Sequence, residues 1–451
     1  MEITQFEDKN LAHYSYAVLS EGLITLIDPA RNPQPYYDFA KQNHATITTV
    51  IETHPHADFV SSHLEIHKTT GATIYVSKLL GAEYEHETFD DGDTIYLGNV
   101  ILKSLNTPGH SPDSISIVVT DENGKEKAVF TGDTLFIGDC GRPDLREKAG
   151  AITAARQDLA KQMYHSLRNK LMTLPDDVKV YPAHGAGSLC GKGLSELNTS
   201  TIGAEKAANW SLQNISEDAF MNNLLADQPF IPKYFTFNVE INKKGADNFL
   251  DSISNVTIAK PITSEASANA LNSEITIIDS RPQQQFKNAH LKNSINLMND
   301  TKFETWLGSI VNPGEAFYLA AEDETQLNEL IERTAKIGYE KQINLAFAID
   351  FGDTAMKIFD SALLKENEDE FTIIDIRNDT EVKAKKIFAN VLHIPLHELR
   401  ERTNEIPLHK PIVVYCEGGY RSAAGSSIIK SKLNGASQVY DLGEAVKTFQ
   451  E

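Results

Sequence analysis

Cysteine is scarce in this chain. Only Cys140, Cys190 and Cys416 occur in 451 residues, far apart and odd in number. That excludes a disulfide framework and points to a reducing compartment, so the expected location is cytoplasmic. Positive charge is also short. Lys and Arg number 42 against 63 Asp and Glu, a formal charge of −21, which argues against nucleic acid or an anionic membrane as the main partner. No apolar run approaches the length that crosses a bilayer. The opening MEITQFEDKNLAHYSY has neither the basic start nor the apolar stretch of a signal peptide. With 41% apolar and 23% charged residues the chain is expected to be globular. Its length is too great for one core, and about two to four domains are expected.

What is present is an alternation of short β-rich runs and helical patterns. "GLITLIDP" and "ITTVIETH" read as buried strands that end in polar turns. Periodicity fades and prolines gather around "LLADQPFIPKYFTFNVEINKKGADN", which marks a boundary between about 240 and 260. Beyond it lies a weak internal repeat. "EITIIDSRPQQQFKNAHLKNSINLM" parallels "EFTIIDIRNDTEVKAKKIFANVLHIPL", and each unit continues into a further apolar strand, "EAFYLAA" or "KPIVVYC". Both read as small α/β domains with parallel sheets. The expected domains are residues 1–245, 262–350 and 355–451. Only the last ends its strand in a cysteine; the middle one reaches Ala320 and Ala321.

"ETHPHADFVSSH" places His54, His56 and Asp58 at alternate positions, so their side chains can converge on one side. Three more candidate ligands end strands downstream: His110 in "TPGHSPDS", Asp133 in "FTGDTLF" and His184 in "VYPAHGAGS". His63 and His67 in "HLEIH" are spaced as in a zincin helix, but Glu65 is not directly after the first histidine. They read as packing or solvent-facing residues.

The order H-x-H-x-D, TPGH, TGD, P-x-H resembles the metallo-β-lactamase superfamily. "GDCGRPDL" resembles its persulfide dioxygenase branch. The resemblance implies a four-layer αββα sandwich over residues 1–245, with the site at the common edge of the sheets. In binuclear hydrolases of this superfamily a histidine directly follows the motif aspartate; here Phe59 stands there, and its ring has no lone pair to offer. The dioxygenase branch implies one Fe(II) per chain, held by His54, His110 and Asp133. Two histidines and a carboxylate leave positions for a sulfur donor and O₂. His56, Asp58 and His184 would then orient ligands or bound oxygen, and Arg142 and Arg31 are candidates for steadying anionic substrate groups.

"KPIVVYCEGGYRSAAGSSIIKSKL" ends a strand at Cys416, curls through Gly418 and Gly419, and opens a helix near Arg421. Backbone N–H groups and a helix N-terminus there favour a thiolate. Four residues separate Cys416 from Arg421, and with Asp375 and Arg377 in "IIDIR" the segment resembles an active rhodanese. The resemblance implies that Cys416 carries sulfane sulfur, with Arg421 beside it. Glu417 is expected to discourage anionic donors. The middle domain resembles a rhodanese without its cysteine, a spacer or docking surface. Cys190, six residues beyond His184 and near Lys192, is a candidate second sulfur carrier whose thiol pKa a cation would lower. Cys140 reads as structural.

The combined expectation is a cytoplasmic persulfide dioxygenase–sulfurtransferase of sulfide detoxification, assembled as a dimer or tetramer. Its substrates would be a low-molecular-weight or protein persulfide and O₂, with sulfite and thiosulfate as sulfur partners. The competitors are a glyoxalase II-like metal-dependent thioester hydrolase fused to a sulfurtransferase, and a non-oxidising persulfide carrier.

Overall fold

The apolar alternation of the N-terminal half builds two sheets. One joins β1 (Glu2–Asp8), β2 (His13–Ser20), β3 (Leu23–Ile27), β4 (Thr46–Ile51), β5 (Thr73–Val76) and β6 (Glu87–Thr88) in that order. The other joins β7 (Thr94–Leu97), β8 (Val100–Asn106), β9 (Ile115–Thr120), β10 (Glu126–Gly132), β11 (Lys179–Pro182) and β12 (Ser200–Thr201), again in order. The computed structural model describes residues 1–146, 156–433 and 435–450.

Neighbouring strand residues face opposite layers. Ile117, Val119, Ala128 and Phe130 pack against Tyr16, Val18, Ile27 and Ile51 between the sheets. Val118 and Val129, one step along, pack outward on Met163, Leu167 and Phe220. Those residues come from α3 (Arg156–Asn169) and α5 (Glu217–Leu225), while α1 (Gln34–Gln42) and α2 (His63–Thr70) cover the first sheet through Tyr36, Ala40 and Ile66. Both faces of each sheet are therefore buried, and the architecture is an αββα sandwich. Each large apolar side chain so buried contributes about 1.5–3 kcal/mol. The segment continues through α4 (Ile202–Ala208), which lies between α3 and α5 in sequence, then α6 (Tyr234–Lys244) and α7 (Phe249–Ser254).

The chain divides into two compact units, Met1–Asp251 with Ala335–Gly338, and Ser252–Thr334 with Tyr339–Glu451. The first runs past the 245 limit expected from sequence, for a local reason. The Phe249 amide donates to Glu65 at 2.8 Å, and the Arg31 guanidinium lies over the Phe249 ring.

The second unit contains the repeat. After α8 (Glu265–Ala268), its first half runs β13 (Thr276–Asp279), α9 (Gln283–Asn288), β14 (Ser294–Asn296), α10 (Phe303–Ile310), β15 (Phe317–Ala321), α11 (Glu324–Lys336) and β16 (Ile343–Ala348). The second half runs α12 (Ala362–Glu366), β17 (Thr372–Asp375), α13 (Asp379–Ala384), β18 (Leu392–His393), α14 (Leu399–Arg402), β19 (Ile412–Tyr415), α15 (Tyr420–Leu433) and β20 (Val439–Asp441). Both sheets are parallel, with the same strand order: β14-β13-β15-β16 and β18-β17-β19-β20. Sequence leads one to expect two separate domains, yet the halves pack as one unit. Arg400 grips the Glu315 carboxylate at 2.7 and 3.0 Å, and the Asn296 amide donates to Ser427 Oγ. Among the described residues no helix is long and apolar enough to cross a membrane.

Candidate functional site

Strand ends of the sandwich deliver the candidate ligands. His54 follows β4, Asp133 directly follows β10, and His184 lies just beyond β11; His110 comes from the turn after β8. His54 Nε2 and His110 Nε2 lie 3.7 and 3.5 Å from the same oxygen, Asp133 Oδ2. His184 Nε2 lies 3.5 Å from Asp133 Oδ1 and 3.3 Å from Asp58 Oδ2. All are buried.

Each of these three rings is fixed through its other nitrogen. The Thr53 hydroxyl donates to Asp28 at 2.8 Å, so its oxygen is left to accept from His54 Nδ1 at 3.0 Å. His110 Nδ1 donates to the Arg142 carbonyl at 2.9 Å, and His184 Nδ1 to that of Ala12 at 3.2 Å. The Nε2 lone pairs therefore converge on Asp133, the arrangement that metal-binding histidines require. The approach of the strands is close. Gly132 has φ +50°, and a Cβ there would lie 2.5 Å from Thr53 Oγ1.

The donor set suits a cation. Neither Asp133 oxygen accepts a hydrogen bond from an N–H or O–H group, and burial raises its carboxyl to about 6, with His184 opposing and Asp58 adding to the shift. A buried carboxylate without such partners, ringed by imidazole lone pairs, is unfavourable unless a cation completes it. Two adjoining triads meet here, His54, His110 and Asp133, and His56, Asp58 and His184, joined where His184 reaches Asp133.

Phe59 belongs to the wall of the second triad. Its ring lies 4.3 Å from that of His56 and 3.9 Å from that of His13, wedged between them. His56 Nε2 turns away, 3.1 Å from Asp28 Oδ1 and 3.5 Å from Glu52 Oε2. Burial works against its charge, but Asp28, Glu52 and Asp58 outweigh that and raise it to about 9. Sequence reasoning passes over three contributors. Asn242, from α6, takes the Ser61 amide and donates to the carbonyls of His56 and Phe59, all at 2.8 Å. Asp28 fixes the Thr53 amide and hydroxyl. His13 supplies a wall, and a histidine inside the apolar alternation of β2 is the one signal that could have found it.

The two arginines expected to touch substrate both lie beside carboxylates of the protein. The buried Arg142 guanidinium pairs with both Asp144 oxygens at 2.6 and 2.7 Å and donates to the Leu189 carbonyl. Its backbone carbonyl holds His110, and its backbone amide donates to the Cys190 carbonyl at 2.9 Å. Arg31 is equally buried, 3.6 Å from Glu65. Both position the loops around the site.

The Cys190 sulfur lies within 4.8 Å of the nearest donor atoms of Asp133 and His184. Its thiol is not acidified. Burial, then Asp58 and Asp133, push it well above the ordinary range, and Lys192 turns away to the Asn223 and Ala226 carbonyls. Cys140 packs in the outer core with Val129 and Leu167. His63 packs on Tyr84 at 4.6 Å.

In the second unit Cys416 directly follows β19, and Gly419 closes the loop by donating its amide to Cys416 Sγ at 3.1 Å. Gly419 has φ +101°, a conformation that favours glycine, and a Cβ there would lie 2.9 Å from the Glu444 nitrogen. The loop's base is rigid: Arg377 clamps Asp375, which also accepts from the Tyr415 hydroxyl at 2.5 Å. Arg377 reaches Glu417 at 3.3 Å, and Arg421 forms a bidentate pair with Glu381 at 2.5 and 2.6 Å. Two arginines near the thiol thus face three carboxylates, Asp375, Glu417 and Glu381.

The comparisons agree with this geometry. The profile of the metallo-beta-lactamase superfamily matches residues 9–184, and that of the rhodanese-like domain residues 360–451. Persulfide dioxygenase ETHE1, mitochondrial, of Homo sapiens is 34% identical over 208 residues, which span 45% of this chain and 73% of that protein. A hydroxyacylglutathione hydrolase, cytoplasmic, of Arabidopsis thaliana is 32% identical over 38% of this chain and 63% of its own length. A crystal structure of a metallo-beta-lactamase from Staphylococcus aureus superposes with a TM-score of 0.70 at 33% identity, covering 77% of this chain and 99% of that one.

Proposed function

Because the chain belongs to the metallo-β-lactamase superfamily, in its persulfide dioxygenase branch, with a rhodanese-like domain at residues 360–451, we propose that it oxidises a thiol persulfide to sulfite and exchanges sulfane sulfur through Cys416. One observation carries the first half: Asp133 Oδ2 faces both His54 and His110, while an aromatic ring fills the place of a further donor at the second triad. His54, His110 and Asp133 would hold one Fe(II) per chain. Such an ion supplies open coordination positions and redox chemistry for a sulfur donor and O₂.

The contribution of each residue lies in its contacts. Thr53, Arg142 and Ala12 hold the histidines in the tautomers that present Nε2. Asn242 and Phe59 fix and dry the His56 side. The overall oxidation balances as RSSH + O₂ + H₂O → RSH + HSO₃⁻ + H⁺. At Cys416 a sulfane sulfur then moves between the thiolate and sulfite: Cys–S–S⁻ + SO₃²⁻ ⇌ Cys–S⁻ + S₂O₃²⁻. The S–S bond to cysteine breaks as the S–S bond of thiosulfate forms. Gly419's amide steadies the cysteine sulfur that this leaves behind. Carrying both activities on one chain raises the effective concentration of the shared sulfur species. Scarce cysteine supports a cytoplasmic location, and assembly as a homo-oligomer completes the reading.

The hydrolase relative and the convergence of His56, Asp58 and His184 favour one alternative, a binuclear thioester hydrolase. An oxygen electrode separates them. Iron-loaded protein should consume O₂ with glutathione, coenzyme A or bacillithiol persulfide, and Asp133→Asn should not. Thioester hydrolysis without oxygen uptake, on protein holding two zinc ions per chain, would overturn the proposal.

A further inference from the structure

The cysteine-less first half of the second unit has no chemistry of its own in the function proposed above. Its contacts nevertheless concentrate on one element of the other half, α15, whose first turn closes the Cys416 loop. The Tyr420 hydroxyl, at the first residue of α15, donates to the Met298 carbonyl at 3.1 Å. One residue on, the Arg421 guanidinium carbon lies 5.9 Å from the centre of the Trp306 ring. Two turns along, the Ser427 hydroxyl accepts the Asn296 amide at 3.0 Å, a backbone donor of β14. β14 is the edge strand of its sheet, so this amide has no strand partner on that side. Near the end of the helix, Lys430 donates to His290 Nε2 at 3.2 Å and Ser431 to Asn293 Oδ1 at 3.0 Å.

A second line of contact reaches the loop from its other side. Lys287, on α9, pairs with Asp441 at 2.7 Å. Asp441 in turn accepts the Gly443 amide at 2.8 Å, and the Gly443–Glu444 backbone is the surface against which Gly419 is packed. Gly419 is the residue whose amide meets the Cys416 sulfur.

We infer that the cysteine-less repeat is a positioning element of the sulfurtransferase site: through Tyr420–Met298, Ser427–Asn296 and Lys287–Asp441 it sets where α15 and Gly419 stand relative to Cys416. This rests on Cys416 being the sulfur-carrying residue. Tyr420 and Ser427 are positioning residues, since neither touches the sulfur. A spacer would need no such contacts along the whole of one helix. The donor on Gly419 is useful only if it meets the cysteine at the correct distance, and hydrogen-bond strength falls steeply with misalignment.

The test uses the full chain, with thiosulfate as donor, cyanide as acceptor and thiocyanate as readout. Tyr420→Phe and Ser427→Ala each remove one contact. Each is expected to lower kcat about fivefold, the effect of one net hydrogen bond on a reacting geometry. KM for thiosulfate, the melting temperature and persulfide-dependent oxygen uptake should stay near the parent values. Unchanged kcat in both variants would overturn the inference. So would a fall in kcat accompanied by a raised KM and a lowered melting temperature, because that marks a structural role. If Tyr420→Phe fails to fold, Ser427→Ala decides alone. Cys416→Ser tests the underlying reading separately: transfer that survives it removes the sulfurtransferase assignment, whereas its loss beside fully active Tyr420 and Ser427 variants removes only the inference.

Discussion

Ala321 occupies in the first repeat the position that Cys416 occupies in the second. The register fixes this: Asp279 is paired with Ala320 across β13 and β15, and Asp375 with Tyr415 across β17 and β19, so the next residue is Ala321 in one repeat and Cys416 in the other. The segments beyond those two residues differ. Cys416 leads into a loop of Glu417, Gly418 and Gly419, while Ala321 leads into Glu322 and Asp323 before α11 begins.

Restoring the thiol should therefore not restore the activity. Asp323 Oδ1 already accepts the Gln326 amide, capping the helix end that would otherwise face an anion, and carboxylates beside a thiol disfavour its thiolate. Ala321→Cys in a Cys416→Ser background is expected to form no thiocyanate from thiosulfate and cyanide above background. Turnover there would show that the cysteine alone separates the two halves.

Phe59→His should change the metal count. The ring wedged between His13 and His56 would become an imidazole with a lone pair at the second triad. Elemental analysis of protein purified with excess zinc is expected to rise from about one toward about two ions per chain, with oxygen uptake reduced. A count that stays at the parent value would mean that Phe59 does not decide the stoichiometry.

His290 gives the second unit an acid-sensitive point away from either active site. Burial, then Lys430, push it down to about 4; the Phe286 carbonyl opposes the shift and Arg281 adds to it. Because the folded value lies below the unfolded one near 6.5, the unfolded chain takes up the proton first as pH falls. The stability contribution is complete above about 6.5 and is lost toward 4. Between pH 7 and 5 the parent chain should lose about 2 kcal/mol more than His290→Gln in urea unfolding. Parallel pH dependences would show that His290 is not the group responsible.

His54, His110, Asp133 and His184 were legible as candidates because each lies within four residues of the end of an apolar strand, and strand ends of such a sheet share one rim. Cys416 was legible for the same reason. Asn242 was not, since its contacts reach from α6 back to the His56–Ser61 loop and no local pattern announces a distant clamp. For Arg142 and Arg31 the sequence shows a charge but not the direction it faces. Asp144 and Glu65, which claim them, look like ordinary surface acids until the loops fold. The same holds near Cys190: Lys192 is its neighbour along the chain but donates to α5 and the residue after it. The repeat was visible as two similar segments, but their fusion into one unit depends on α15 lying along the β14 edge, which is a property of surfaces.

Gly132 ties two ligand-bearing strand ends together by what it lacks. One added methyl at that position would strike the Thr53 hydroxyl, and Thr53 is what steers the His54 ring. A change with no charge and no donor atom would thus disturb the candidate centre as surely as deleting one of its donors, so the tolerance of this site to variation is narrower than the number of its candidate ligands suggests.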